Sequence, residues 1–113
     1  MSRRLTGSTF AVALLVSVPA AAAAAEFYVV LGSFNQQSGM AAVEAGETLM
    51  KRARRCGFDA WTETSSKIKG FTPGYYIALT GPYPSADAAE AVRARIKPCA
   101  PEAYVKGGTH LGE

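Results

Sequence analysis

The chain has 113 residues, twelve basic and nine acidic side chains, and a formal net charge of +3. That length holds one small domain and excludes a multidomain enzyme. Arg3 and Arg4 belong to the first 25 residues, so the remainder carries 10 basic and 9 acidic groups, a net of +1. So even a balance leaves no electrostatic footprint for nucleic acid.

At the N-terminus, Arg3 and Arg4 precede an apolar run over 10–18, then Pro19 and alanines over 20–25. Ala23-Ala24-Ala25 before Glu26 fits a small-residue cleavage site, which predicts a secretory signal peptide over 1–25 and a mature start near Glu26. The periplasm or secretion follows as the expected location. The other reading is an uncleaved membrane anchor, but a spanning helix wants about 20 apolar residues. This stretch is short, Ala-rich and broken by Pro19. The 88 residues left can bury only a modest core. Both cysteines, Cys56 and Cys99, lie among them. An even count in an oxidising compartment predicts a disulfide, with two buried thiols as the other reading. No C-x-x-C redox motif is present.

Phe27-Tyr-Val-Val-Leu-Gly-Ser-Phe34 is an apolar, β-rich run and predicts the first strand. A helix is expected over 40–56, where Ala42, Gly46, Leu49, Ala53 and Cys56 recur at three- and four-residue spacing. Val43 and Met50 widen that stripe, and Gly57 is placed to stop the helix. A second strand is expected over 58–64, followed by a turn over 65–74 that contains Gly70, Pro73 and Gly74. The third strand is Tyr76-Ile-Ala-Leu-Thr-Gly-Pro-Tyr83. Ser85 is a natural N-cap for a second helix with Asp87 in its first turn, an apolar side of Ala88, Ala89, Val92 and Ile96, and Pro98 at its end. A short fourth strand over 103–106 closes a domain spanning 26–107. Gly107-Gly108 then opens a tail, 108–113, expected to be loose.

The chain repeats itself. Gly32 and Phe34 in the first strand correspond to Gly81 and Tyr83 in the third. Cys56-Gly-Phe-Asp-Ala-Trp61 is echoed by Cys99-Ala-Pro-Glu-Ala-Tyr104. Strand–helix–strand is thus written twice, which predicts an α+β, βαββαβ ferredoxin-like domain. The expected form is one four-stranded antiparallel sheet with two helices on one face, its first and third strands forming a central pair taken to run parallel. Both helix C-termini then fall on the same side, which would bring Cys56 to Cys99.

These residues resemble the SPOR domain, a small βαββαβ module of bacterial envelope proteins. The resemblance rests on Tyr28-Val29-Val30-Leu31-Gly32-Ser33-Phe34, on Gly57-Phe58, on the 76–83 strand ending Gly81-Pro82-Tyr83, and on Ser85-Ala-Asp-Ala-Ala-Glu-Ala. It implies non-covalent binding of peptidoglycan, with a preference for glycan strands stripped of their peptide stems. It also implies a role in the cell envelope, often at the division septum, and no enzymatic activity, metal or cofactor. The resemblance places the glycan on the exposed sheet face and adds an aromatic on the last strand, here Tyr104. Where the family commonly has Gln two residues before the first strand's Gly, this chain has Val30.

If Phe27, Val29 and Leu31 face the helices, then Tyr28, Val30 and Gly32 face away. By the repeat, Tyr76, Ala78 and Thr80 point inward, while Tyr75, Ile77, Leu79 and, on the second strand, Trp61 point outward. That side has no helix over it. Sugar rings stacking on Trp61 and the tyrosines, with hydrogen bonds from Ser33, would explain it. So would a protein partner or a second copy of the domain. A one-residue error of register is the third reading, because both central strands are nearly continuous apolar runs. The expected ligand contacts are Tyr28, Ser33, Trp61, Tyr75 and Tyr104.

Other constellations carry less. His110 is a lone histidine, so a metal site lacks ligands and Ser33 lacks a base. Glu44 and Glu47 read as a solvated helix face. Lys51, Arg52, Arg54 and Arg55 read the same way, with attraction to anionic polymers or headgroups as the second reading.

Overall fold

The structure is a computed structural model that describes residues 26–112. The signal-peptide expectation over 1–25 lies outside the described residues. Strand β1 spans Glu26–Asn35, helix α1 Met40–Arg55, β2 Ala60–Thr64, β3 Ile68–Lys69, β4 Tyr75–Tyr83, helix α2 Ala86–Ile96 and β5 Tyr104–His110. The strands form one five-stranded sheet in the order β2-β4-β1-β5-β3. Every adjacent pair is antiparallel.

Two expectations are corrected. The sheet has five strands rather than four, because Ile68–Lys69 inside the expected turn pairs with Thr109 and His110. The central pair, β1 and β4, runs antiparallel rather than parallel. The physical reason is connectivity. The 65–74 segment reverses the chain after β2, so β4 runs against β2 and against the β1 strand it separates from β2.

Both helices form where their local signals are. Ser85 Oγ accepts a hydrogen bond from the Ala88 N–H at 3.0 Å, capping α2, and Asp87 sits in the first turn. At the end of α1, Gly57 adopts φ +93°. Its N–H donates to Arg54 O at 2.9 Å, and the Phe58 N–H donates to Ala53 O at 3.1 Å, the two bonds of a Schellman stop. Phe58 then packs on the core. Only a glycine adopts that backbone angle without strain.

The helices cover one face of the sheet. Val29, Leu31, Ala60 and Ala78 from the strands meet Met50 and Ala53 of α1 and Ala89, Val92 and Ile96 of α2 in one buried cluster. Gly46 lets α1 sit close, since a Cβ there would come within 2.8 Å of the Tyr76 ring. The two helix ends are tied by a disulfide between Cys56 and Cys99, with Cα atoms 6.7 Å apart.

Candidate functional site

Residues on the other face follow from register. Tyr28 lies opposite Lys106, Val30 opposite Tyr104, Trp61 opposite Leu79, and Ser33 opposite Ile77. The expected side for Tyr75, Ile77, Leu79 and Trp61 is the observed one, as their separate cluster with Tyr28 shows. Gly32 is different. A register shift falls between Val30 and Gly32, and a Cβ on Gly32 would meet Leu49 of α1 at 2.6 Å. The bulge therefore turns Gly32 toward the helices and Ser33, which is exposed, to the opposite face.

The expectation of an open face is overturned. Tyr28, Val30, Ile77 and Leu79 are all buried. The 65–74 segment leaves β2 at one edge, crosses this face, and places β3 against β5 at the other edge. Ile68 is buried against Tyr28, Ile77 and Leu79, and the Phe71 ring meets Tyr28 edge-on at 5.9 Å. Three backbone–backbone bonds and one to a side chain hold the segment in place. Tyr75 N–H donates to the buried Ser65 Oγ at 2.9 Å, Gln36 N–H to Gly74 O at 2.9 Å, Phe71 N–H to Ile68 O at 3.1 Å, and Leu111 N–H to Lys67 O at 2.8 Å.

Strand β5 completes the cover. It runs to His110, beyond the expected end at Lys106, so residues 108–110 are part of the sheet rather than a loose tail. His110 reaches across to β2, with Nε2 2.9 Å from Glu63 Oε2 and its ring 5.8 Å from Trp61. Trp61 is half-buried. Its indole N–H donates to Gly81 O at 3.0 Å, and its ring meets Tyr28 edge-on at 6.5 Å. The Tyr28 hydroxyl donates to Glu26 Oε1 at 3.1 Å. Burial, and then the bond and negative charge of Glu26, push its pKa up to about 12, against a smaller opposing effect from the His110 backbone N–H. Tyr28 and Trp61 are therefore parts of a second core.

What stays open is a cleft of about 280 Å³ beside this cover. Ser33, Ser65, Phe71, Thr72, Tyr75, Ile77, Tyr104 and Lys106 line it. Three of the expected contacts, Ser33, Tyr75 and Tyr104, thus converge, while Tyr28 and Trp61 do not join them. Tyr104 is 45% exposed. Phe71, Thr72 and Lys106 were missed. Their signal in the sequence is weak, since Phe71 is one apolar residue between Gly70 and Thr72 in a segment read as a turn. Val30, the position at which the resemblance noted above would lead one to expect Gln, is fully buried, so it presents nothing to a ligand.

The cleft offers aromatic faces, hydroxyl groups and one cation. Such a set can stack on apolar ring faces and hydrogen-bond to hydroxyls. Its relation to known proteins is clear at the family level. The SPOR domain model matches residues 23–106. No curated protein and no solved structure matches the chain. Among the described residues, no helix is long and apolar enough to cross a membrane. The matched residues span most of the chain and nearly all of the strands and helices described above, and the chain therefore belongs to the SPOR domain family, a family of peptidoglycan-binding domains.

Proposed function

We propose that this is an exported, non-enzymatic module that binds peptidoglycan glycan strands stripped of their stems, and that the cleft is where it does so. Tyr104 and Tyr75, with Phe71 beside them, supply stacking faces, while Ser33, Thr72 and the tyrosine hydroxyls bond to sugar hydroxyls. The observation that carries this reading is the convergence of Ser33, Tyr75 and Tyr104 on one open cleft in a peptidoglycan-binding family. The alternative, an apolar sheet face docking a protein or a second copy, loses its premise because Ile77 and Leu79 are sealed.

The test is a sacculus pull-down with Tyr104→Ala. The side chain is exposed, so the variant should keep its circular dichroism spectrum and melting temperature. Retention should fall roughly tenfold, the scale of one lost aromatic stack. Retention equal to wild type would count against the cleft.

A further inference from the structure

We infer that the outer side of α1 is a self-pairing surface, on which α1 of a second copy of this chain lies antiparallel, with Glu44 of each copy against Arg52 of the other. The helix carries two stripes. Ala42, Gly46, Met50 and Ala53 are the buried one, packed on the sheet. Ala41, Ala45, Thr48 and Arg52 recur at four- and three-residue spacing and line an open groove of about 430 Å³, with Phe34 and Leu49 beside them. Three of those four side chains are small, which lets a second helix axis come close. Met40, 67% exposed, adds apolar surface at the start of the same helix.

Charge identifies the occupant. Glu44 and Arg52 are the two charged residues lining the groove, and both are exposed. Among the described residues, neither side chain forms an ion pair or a hydrogen bond. They stand eight positions apart on the helix, about 12 Å along its axis, too far to reach each other. Thr48 lies midway between them. A two-fold axis passing beside Thr48 therefore sets each Glu44 opposite the other copy's Arg52, and two ion pairs form at once. A parallel copy would set Glu against Glu and Arg against Arg. One helix pair is small beside the roughly 1,200 Å² of a stable interface, so the dimer is a weak one, with a dissociation constant on the order of 100 µM. The pairing does not depend on the glycan reading, but it has a consequence for it. The groove shares no residue with the cleft, which lies on the other face of the sheet, so a dimer offers two open clefts to one polymer.

Sedimentation equilibrium on the chain purified after export tests this, over concentrations from about 10 µM to about 1 mM that bracket the expected constant. The wild-type mass should climb from monomer toward dimer. Glu44→Arg and Arg52→Glu each bring like charges together twice, and each should weaken self-association at least roughly tenfold. Both positions are exposed, so circular dichroism should match wild type. An equimolar mixture of the two variants restores opposite charges at both contacts and should associate as wild type does. A wild type that stays monomeric throughout, a single variant that associates as tightly as wild type, or a mixture that stays monomeric overturns the pairing and leaves the cleft untouched.

Discussion

Tyr28 shows how a residue chosen for one role by its type takes another by its surroundings. Its ring is sealed between Trp61 and Phe71, and its hydroxyl is held to Glu26. The neutral hydroxyl is favoured in the folded state, so its folded pKa lies above the unfolded value. Its contribution is therefore complete below about pH 10 and is lost as pH rises toward 12. Urea midpoints measured from pH 9 to 12 should fall more steeply for wild type than for Tyr28→Phe. Parallel slopes would remove Tyr28 from the account. Trp61→Ala should act on stability too, costing roughly 2–4 kcal/mol in chemical denaturation, because the indole bridges β2, β4 and the end of β5. Side-chain type made both residues visible as candidates. Burial, which depends on a segment far along the chain, decided what they do.

At the scale of elements, the pattern of the strands and helices was legible where a local rule acted alone. Ser85 and Gly57 mark helix ends through their own local hydrogen bonds, and alignment of β4 with β1 through the repeat placed Ile77 and Leu79 on the correct side. The bulge at Gly32 was not legible, because Val30-Leu31-Gly32 is apolar on either register and only contact with α1 distinguishes them. Nor was β3, a two-residue strand with Ile68 between two lysines in a polar stretch. Its pairing partners, Thr109 and His110, follow Gly107-Gly108, which read as the opening of a tail. In the structure Gly108 is a site of close approach. A Cβ there would lie 2.7 Å from Ile68 Cγ2 and 2.9 Å from Lys69 O. One of those atoms is backbone, so Gly108→Ala should cost roughly 1–3 kcal/mol. It should also speed amide hydrogen exchange at Ile68 and Lys69 while α1 stays protected. Unchanged exchange would mean that β3 yields without consequence.

At the scale of the whole domain, the described residues form two cores back to back on one sheet, with a covalent tie at one end. Cys56 and Cys99 are separated by 43 positions, and closing a loop of that size stabilises the fold by about 4 kcal/mol in the chain-entropy account, whose mechanism is disputed. Replacing both by serine should lower unfolding free energy by that order, a large share of the total for so small a domain. A loss under about 1 kcal/mol in urea would show that the helix ends are held together without the bond. The same end gathers Arg52, Arg54 and Arg55 from the last turn of α1 and Arg93 and Arg95 from that of α2. Helix dipoles favour cations there, and Arg54 also donates to Ala60 O at 2.8 Å, so these charges have structural work as well as solvent contact.

The recognised family region stops at residue 106, yet the strand it ends in continues for four more residues and pins itself across the sheet through His110. Anyone trimming this protein at that border, or fusing a reporter there, would pull the latch off the face that the 65–74 segment covers. A chain cut after Lys106 should light up a hydrophobic dye that the intact chain ignores, and a tag should be joined beyond Leu111 instead.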